Sequence, residues 1–222
     1  MRRNVADRTI LYESGYTTTL TYMALFSKIF SRLLLRSIKL DDPWKRYPAD
    51  VPLERYGLGS RRAFSWYLEG ESHLYMHSVD EIVAWLSECT YARDPDLFHE
   101  ADYWQHPLTF EQLRRGDCED FALWAWRKLV KLGRDAEFVA GRILNHNSQS
   151  AGHAWVHLRT KEGLFLLESV LPGADTLYPQ AEIRDKYMPE VSVDGCLLRY
   201  AYGGYYLLRR EALNKNTGAG ET

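Results

Sequence analysis

The stretch RRGDCEDFALWAW, Arg114 to Trp126, decides how the rest of the chain is read. Asp117 followed three residues later by Asp120 is the pattern of a helix N-terminus, where acid side chains take up backbone N–H groups that the first turn leaves free. From there Cys118, Phe121, Ala122, Ala125, Leu129 and Leu132 recur at three- and four-residue steps, and Gly133 supplies a stop. The spacing predicts a helix whose first residue is Cys118, on the inward stripe. A cysteine there has two readings. Free cysteine is among the most buried residue types, so a packed thiol is the ordinary one. The other is a nucleophile: the start of a helix supplies partial positive charge and free N–H donors that favour a thiolate and can hold an oxyanion. Asp117, Glu119 and Asp120 work against the thiolate, so a working thiol needs a cationic partner, for which histidine is suited.

Downstream, the hydrophobic period changes to two. EFVAGRIL (Glu137 to Leu144), HAWVHLR (His153 to Arg159) and LFLLESV (Leu164 to Val170) read as strands, joined by the polar loop NHNSQSAG and the turn TKEG. EVSVDG, LLRYAY and YYLLRR suggest two or three further short strands. Upstream, residues 41–62 carry three prolines and read as an extended connector. SVDEIVAWLSECTYA opens on a capping pair, Ser78 and Glu81, with Cys89 on the apolar stripe of the helix that follows. A short helix is expected from the similar pair Thr109 and Gln112, stopped by Gly116. Helices first and an antiparallel sheet after them make the fold class α+β.

The hairpin register supplies partners for the thiol. If Thr160 to Gly163 form the turn, Arg159 faces Leu164, and Glu168 lies one diagonal step from His153 on the same face of the sheet. His153 starts its strand directly after the small residues SAG, placed to reach a helix end. Glu168 is the only acid in an otherwise apolar strand, so it must face solvent, pair or work. A hydrogen bond from it would set the tautomer of His153.

The whole chain narrows the function classes. Its 222 residues, 45% hydrophobic and 14% aromatic, suffice for one sizeable core. With 28 basic and 30 acidic residues, no charge excess calls for nucleic acid or an anionic membrane as the main partner. Cys89, Cys118 and Cys196 are far apart and form no CxxC pair, which argues against a disulfide framework or a zinc ribbon and favours a reducing compartment. His73 and His77, four apart, lack the glutamate of an HExxH zinc site. Residues 1–40 form an amphipathic arm in which Lys28, Arg32 and Arg36 share one face while Met23, Phe26, Ile29, Phe30 and Leu33 fill another. The pattern favours a helix docked on the body, with membrane-surface contact through residues 20–40 as the alternative. It reads as neither a membrane span nor a signal peptide, so a cytoplasmic location is expected. Residues 213–222 read as a flexible tail.

Taken together, DYWQHPLTFEQLRRGDCEDFALW, GHAWV and LFLLES resemble the bacterial transglutaminase-like cysteine proteinases of the transglutaminase-like, papain-related superfamily. The resemblance covers about residues 80–170. His153 follows Cys118 by 35 residues and Glu168 follows His153 by 15. It implies a papain-like α+β domain over residues 41–212, with Cys118 as nucleophile, His153 as general base and acid, and Glu168 as orienting residue. The family's third position is more often Asp than Glu. The activity implied is peptide or amide hydrolysis through a thioester acyl-enzyme, acting on a protein or peptide. A protein transglutaminase with an amine acceptor, or a silent scaffold of the same fold, are the alternatives. No cofactor is required by this reading, although some exported members hold calcium on acids flanking the cysteine, where Asp117 and Glu119 stand here. Beside the Cys118 N–H, the oxyanion candidates are Gln112 and Trp104.

Overall fold

The computed structural model describes residues 42–144, 150–170 and 176–209. The amphipathic arm and the polar tail lie outside the described residues, which all fall within one compact unit, Leu40–Thr222.

Nine strands are present among the described residues: β1 (Arg46–Pro48), β2 (Thr90–Tyr91), β3 (Arg115–Gly116), β4 (Asp135–Leu144), β5 (Ser150–Thr160), β6 (Gly163–Leu167), β7 (Leu177–Pro179), β8 (Tyr187–Asp194) and β9 (Arg199–Tyr202). Seven form one antiparallel sheet in the order β1-β9-β8-β4-β5-β6-β7, while β2 and β3 pair in parallel apart from it. Period-two alternation sorts side chains to the two faces. Phe138, Val156, Val191 and Val193 enter the main core, and Val139, Trp155, Leu166 and Tyr187 enter a smaller one with Trp44 and Ile183.

The hairpin register agrees with the reading from sequence. Arg159 faces Leu164, and Thr160 pairs with Gly163, so the turn itself is Lys161–Glu162. Strand β6 ends at Leu167, leaving Glu168 just past it. The proposed strand at YYLLRR is not formed: residues 203–209 are helical. Gly203 and Gly204 donate their N–H groups to Lys45 and Pro43, and a Cβ on Gly203 would come within 2.2 Å of the Asp42 carbonyl oxygen. That close backbone approach turns the chain out of the sheet, and local periodicity carries no trace of it.

The helix Cys118–Lys131 lies against β4 and β5. Sequence periodicity gives it one inward stripe, yet every residue from Glu119 to Leu129 is buried. Helices Val79–Ser87 and Pro107–Leu113 cover its other side, with Trp85 stacked on Trp124 at 4.0 Å. Two buried cations on this helix lash down the segment 67–74. Arg127 donates to the carbonyls of Tyr67, Glu69 and Gly70, and Lys128 to Ser72, Leu74 and Glu111. The helix Pro107–Leu113 starts earlier than the Thr109 pattern suggests. Pro107 occupies its first position, the ring of His106 accepts the Leu108 N–H, and a left-handed Arg114 ends it rather than Gly116. Among the described residues no helix is long and apolar enough to cross a membrane.

Candidate active site

Cys118 is held by the way its helix begins. The Asp117 N–H donates to Asp120 Oδ2 at 3.3 Å. Asp120 also accepts from the Gln105 N–H and side-chain amide, and that amide reaches the Arg115 carbonyl at 2.9 Å. Gly116 is needed for this closure, because a Cβ there would stand 2.3 Å from Asp120 Oδ2. The thiol is thereby fixed on a rigid element, where position can be held to fractions of an ångström.

His153 sits on β5 opposite Gly141 of β4. Its Nε2 lies 2.9 and 3.1 Å from the two carboxylate oxygens of Glu168. A carboxylate at Nε2 places the proton of the neutral ring there and leaves Nδ1 as the basic nitrogen. Glu168 is 1% exposed and also accepts from the Val170 N–H at 3.3 Å and the Tyr187 hydroxyl at 2.8 Å. An ionised carboxylate at that depth requires such donors.

Cys118 and His153 line one cavity of about 300 Å³, walled also by Trp104, Gly57 and Ala154. A second recess of about 300 Å³ shares Tyr56, Gly57, Leu58, Ala140, Gly141 and Gly152 with it and runs out to Arg142 and Glu190. The two adjoin along these shared residues and are taken together as the cleft, with the thiol in the first. Of the oxyanion candidates, Trp104 walls the cavity, whereas Gln112 is exposed on the helix Pro107–Leu113 and is not part of the cavity lining. The buried amide next to the helix start belongs to Gln105 instead.

Burial and a cluster of acids set the electrostatics. Burial first, then the charges of Glu119 and Asp117, push the Cys118 thiol well above its ordinary range, and Sγ donates to Glu119 Oε2 at 3.2 Å. The Ala154 backbone hydrogen bond pulls the other way. Burial also raises Asp117, Glu119 and Asp120, and brings Asp94 up to about 6. Ligand oxygens of Asp94, Asp102 and Glu119 lie within 4.8 Å of one another, as do those of Asp94, Asp117 and Asp120. One carboxylate oxygen each on Asp94, Asp102 and Asp117 is buried without a hydrogen-bond partner. Replacing Glu119 with Gln removes one charge from beside the thiol and keeps an acceptor oxygen for it. The variant's Cys118 is expected to alkylate with iodoacetamide faster than wild type at pH 8 in chelator; equal rates would show that burial alone sets the thiol.

The profile of the bacterial transglutaminase-like cysteine proteinases (BTLCP) matches residues 62–179, more than half of the chain. The chain belongs to this family. No curated protein matches it. Among solved structures, calcium-bound LapG of Legionella pneumophila is 24% identical with a TM-score of 0.41, over 51% of this chain and 62% of that one. The EGTA-treated form of the same protein is 24% identical with a TM-score of 0.40, over 51% of this chain and 60% of that one. The chain thus spans about 60% of the length of these neighbours.

The matched segment contains Cys118, His153 and Glu168; the first two line one cavity, and Glu168 is buried outside its lining, in contact with His153. Asp117 and Glu119, flanking the thiol, line the same cavity. Three residues at this transglutaminase-like site escape the sequence reading: Asp94, Asp102 and Tyr187. Asp94 opens the short helix Asp94–Leu97 and Asp102 lies in the loop after it, and no spacing rule connects positions 94 and 102 to 117. Tyr187 stands on β8, beyond any motif.

Proposed function

We propose that this chain is a cysteine peptidase in which Cys118 is the nucleophile, His153 the general base and acid, and Glu168 the residue that orients His153. The observation that supports this most is the Glu168–His153 contact of 2.9 Å beside a cavity that Cys118 and His153 both line. The imidazole Nδ1 takes the thiol proton as sulfur attacks the carbonyl carbon of a peptide bond. The tetrahedral oxyanion forms next to the N–H of Cys118, with Trp104 in the cavity wall as the candidate second donor. The C–N bond then breaks, Nδ1 returns its proton to the leaving amine, and a thioester remains. Water, deprotonated by Nδ1, releases the acyl group as a carboxylate and restores the thiol.

Asp94 fits a hard divalent cation such as calcium in two overlapping sets, with Asp102 and Glu119 or with Asp117 and Asp120: the donors are carboxylate oxygens, and one oxygen each on Asp94, Asp102 and Asp117 is buried with no hydrogen-bond partner. Such an ion would supply positive charge beside a thiol whose proton burial and the neighbouring acids hold in place. These carboxylates would hold it, and the chemical steps remain with Cys118 and His153.

Asp94 gives this part a stability test. Its folded carboxyl, raised to about 6, makes the ionised form costly, so the associated stability is complete below the unfolded value of about 4 and is lost as pH rises through 6. In chelator, Asp94→Asn is expected to melt above wild type at pH 7.5 and level with it near pH 4. With millimolar calcium the order reverses at pH 7.5, because only wild type keeps the full ligand set; saturation a hundredfold above Kd is worth about 2.7 kcal/mol. An equal calcium-induced rise in Tm for both proteins would remove Asp94 from the site.

The reaction itself is tested with a peptidyl chloromethyl ketone and peptide mapping by mass spectrometry. Labelling is expected at Cys118 ahead of the exposed Cys196 and to be lost in His153→Ala. Labelling led by Cys196, unaffected by His153→Ala, would overturn the reading. Analysis of products released with a lysine analogue present separates water from amine as acceptor.

A further inference from the structure

The buried acid behind His153 has one donor that the steps above do not use. Tyr187, at the start of β8, is 2% exposed and points its hydroxyl at Glu168 Oε2, 2.8 Å away. The same oxygen receives His153 Nε2 at 2.9 Å. Two donors converging on one carboxylate oxygen fix the plane of that carboxylate, while the Val170 N–H at 3.3 Å holds the other oxygen. The Tyr187 ring is itself immobilised: it meets Trp155 edge-on at 5.4 Å and lies 6.3 Å from the His153 ring, and Trp155 stacks against His153 at 6.0 Å. Gly141 makes room for this layer, since a Cβ there would stand 2.6 Å from the Trp155 ring. Burial and the Glu168 charge keep the phenol protonated, so it can only donate to the carboxylate.

We propose that Tyr187 is a positioning residue for this site, locking the Glu168 carboxylate so that His153 presents Nδ1 to the cleft. The proposal rests on the Cys118–His153–Glu168 reading and adds a fourth member from a strand two places away from β5 in the sheet order. Without the phenol, Glu168 loses one of the two donors on Oε2 and can swing within its pocket, and the imidazole loses its fixed plane.

Tyr187→Phe keeps the ring and its packing and removes only the hydroxyl. It is expected to lower kcat roughly tenfold with KM unchanged, the size of one hydrogen bond to a charged group. Glu168→Gln should cost more, and the double variant should be no slower than Glu168→Gln alone, because the hydroxyl acts only through the carboxylate. Additive losses in the double variant, or an unchanged kcat in Tyr187→Phe, would overturn the proposal. A second readout is independent of turnover. In Cys118→Ala protein, the downfield proton resonance of His153 Nε2–H, held by a carboxylate, should move or broaden on adding Tyr187→Phe. If the wild type shows no Cys118-dependent turnover, the peptidase reading fails, and this resonance still decides Tyr187: an unshifted signal overturns the positioning role, a shifted one sustains it.

Discussion

Cys118→Ala is expected to reduce turnover of a peptide substrate by on the order of 10⁴-fold or more, the scale seen when a covalent nucleophile is deleted. The fold should be indifferent to the change. Cys118 is the first residue of its helix, Asp117 and Asp120 set the cap, and alanine is the best helix former. Circular dichroism and Tm should therefore match wild type while activity disappears. The substitution also removes the partly buried thiol that donates to Glu119. A Cys118→Ala protein that unfolds at the wild-type temperature and still cleaves peptide would sink the nucleophile assignment. His153→Ala should fall nearly as far, since base and nucleophile act as one unit and their losses do not add.

The second large effect is on stability. Glu137→Ala is expected to destabilise the fold by about 3–5 kcal/mol, as for other buried charges stripped of a partner. Glu137 is fully buried on β4 and accepts from Arg46, from Arg159 at 3.1 and 3.2 Å, from the Ser192 hydroxyl at 2.8 Å and from Tyr202 at 3.0 Å. Tyr202 also meets the buried ring of His157 at 3.0 Å. Alanine would leave the fully buried Ser192 hydroxyl without its acceptor and the Tyr202 hydroxyl with only the His157 ring. Glu137→Gln keeps the shape and an acceptor oxygen, and should cost about 1–3 kcal/mol. Urea unfolding at neutral pH measures both; a loss below 1 kcal/mol for the alanine variant would mean that water replaces the partners. Activity per folded molecule should hold, since Glu137 does not line the cleft.

Two buried glutamates, one on β4 and one just past β6, have different partners. Glu137 faces two arginines and two hydroxyls, partners that neutralise it and hold β1, β4, β5, β8 and β9 together. Glu168 faces an imidazole and a phenol, partners that leave its charge available to His153. Sequence alone flags Glu168 because it interrupts an apolar run. Glu137 opens its run, where an acid reads as a strand end facing water.

Local pattern carried a good part of this protein. The central helix, its cap and the placement of Cys118 follow from steps of three and four residues, because helical hydrogen bonds and side-chain faces repeat at that distance. The β5–β6 register follows from one short turn, because a two-residue connection leaves little freedom in which residues face one another. With these two elements, the likeness of GDCED, GHAWV and LFLLES to a known family already pointed at Cys118, His153 and Glu168.

What remained belongs to contacts that sequence distance hides. Asp94 and Asp102 meet Glu119 only because the segment carrying them closes over the start of the central helix, and the raised carboxyl of Asp94 reflects burial that no spacing encodes. Tyr187 reaches Glu168 through the sheet order β8-β4-β5-β6, set by side-chain packing across both faces. The helix in place of a strand after Tyr202 arises from backbone contact at Gly203 and Gly204 with residues 42–45. Short-range periodicity is a property of the chain itself, whereas desolvation and convergence exist only once distant segments are packed together.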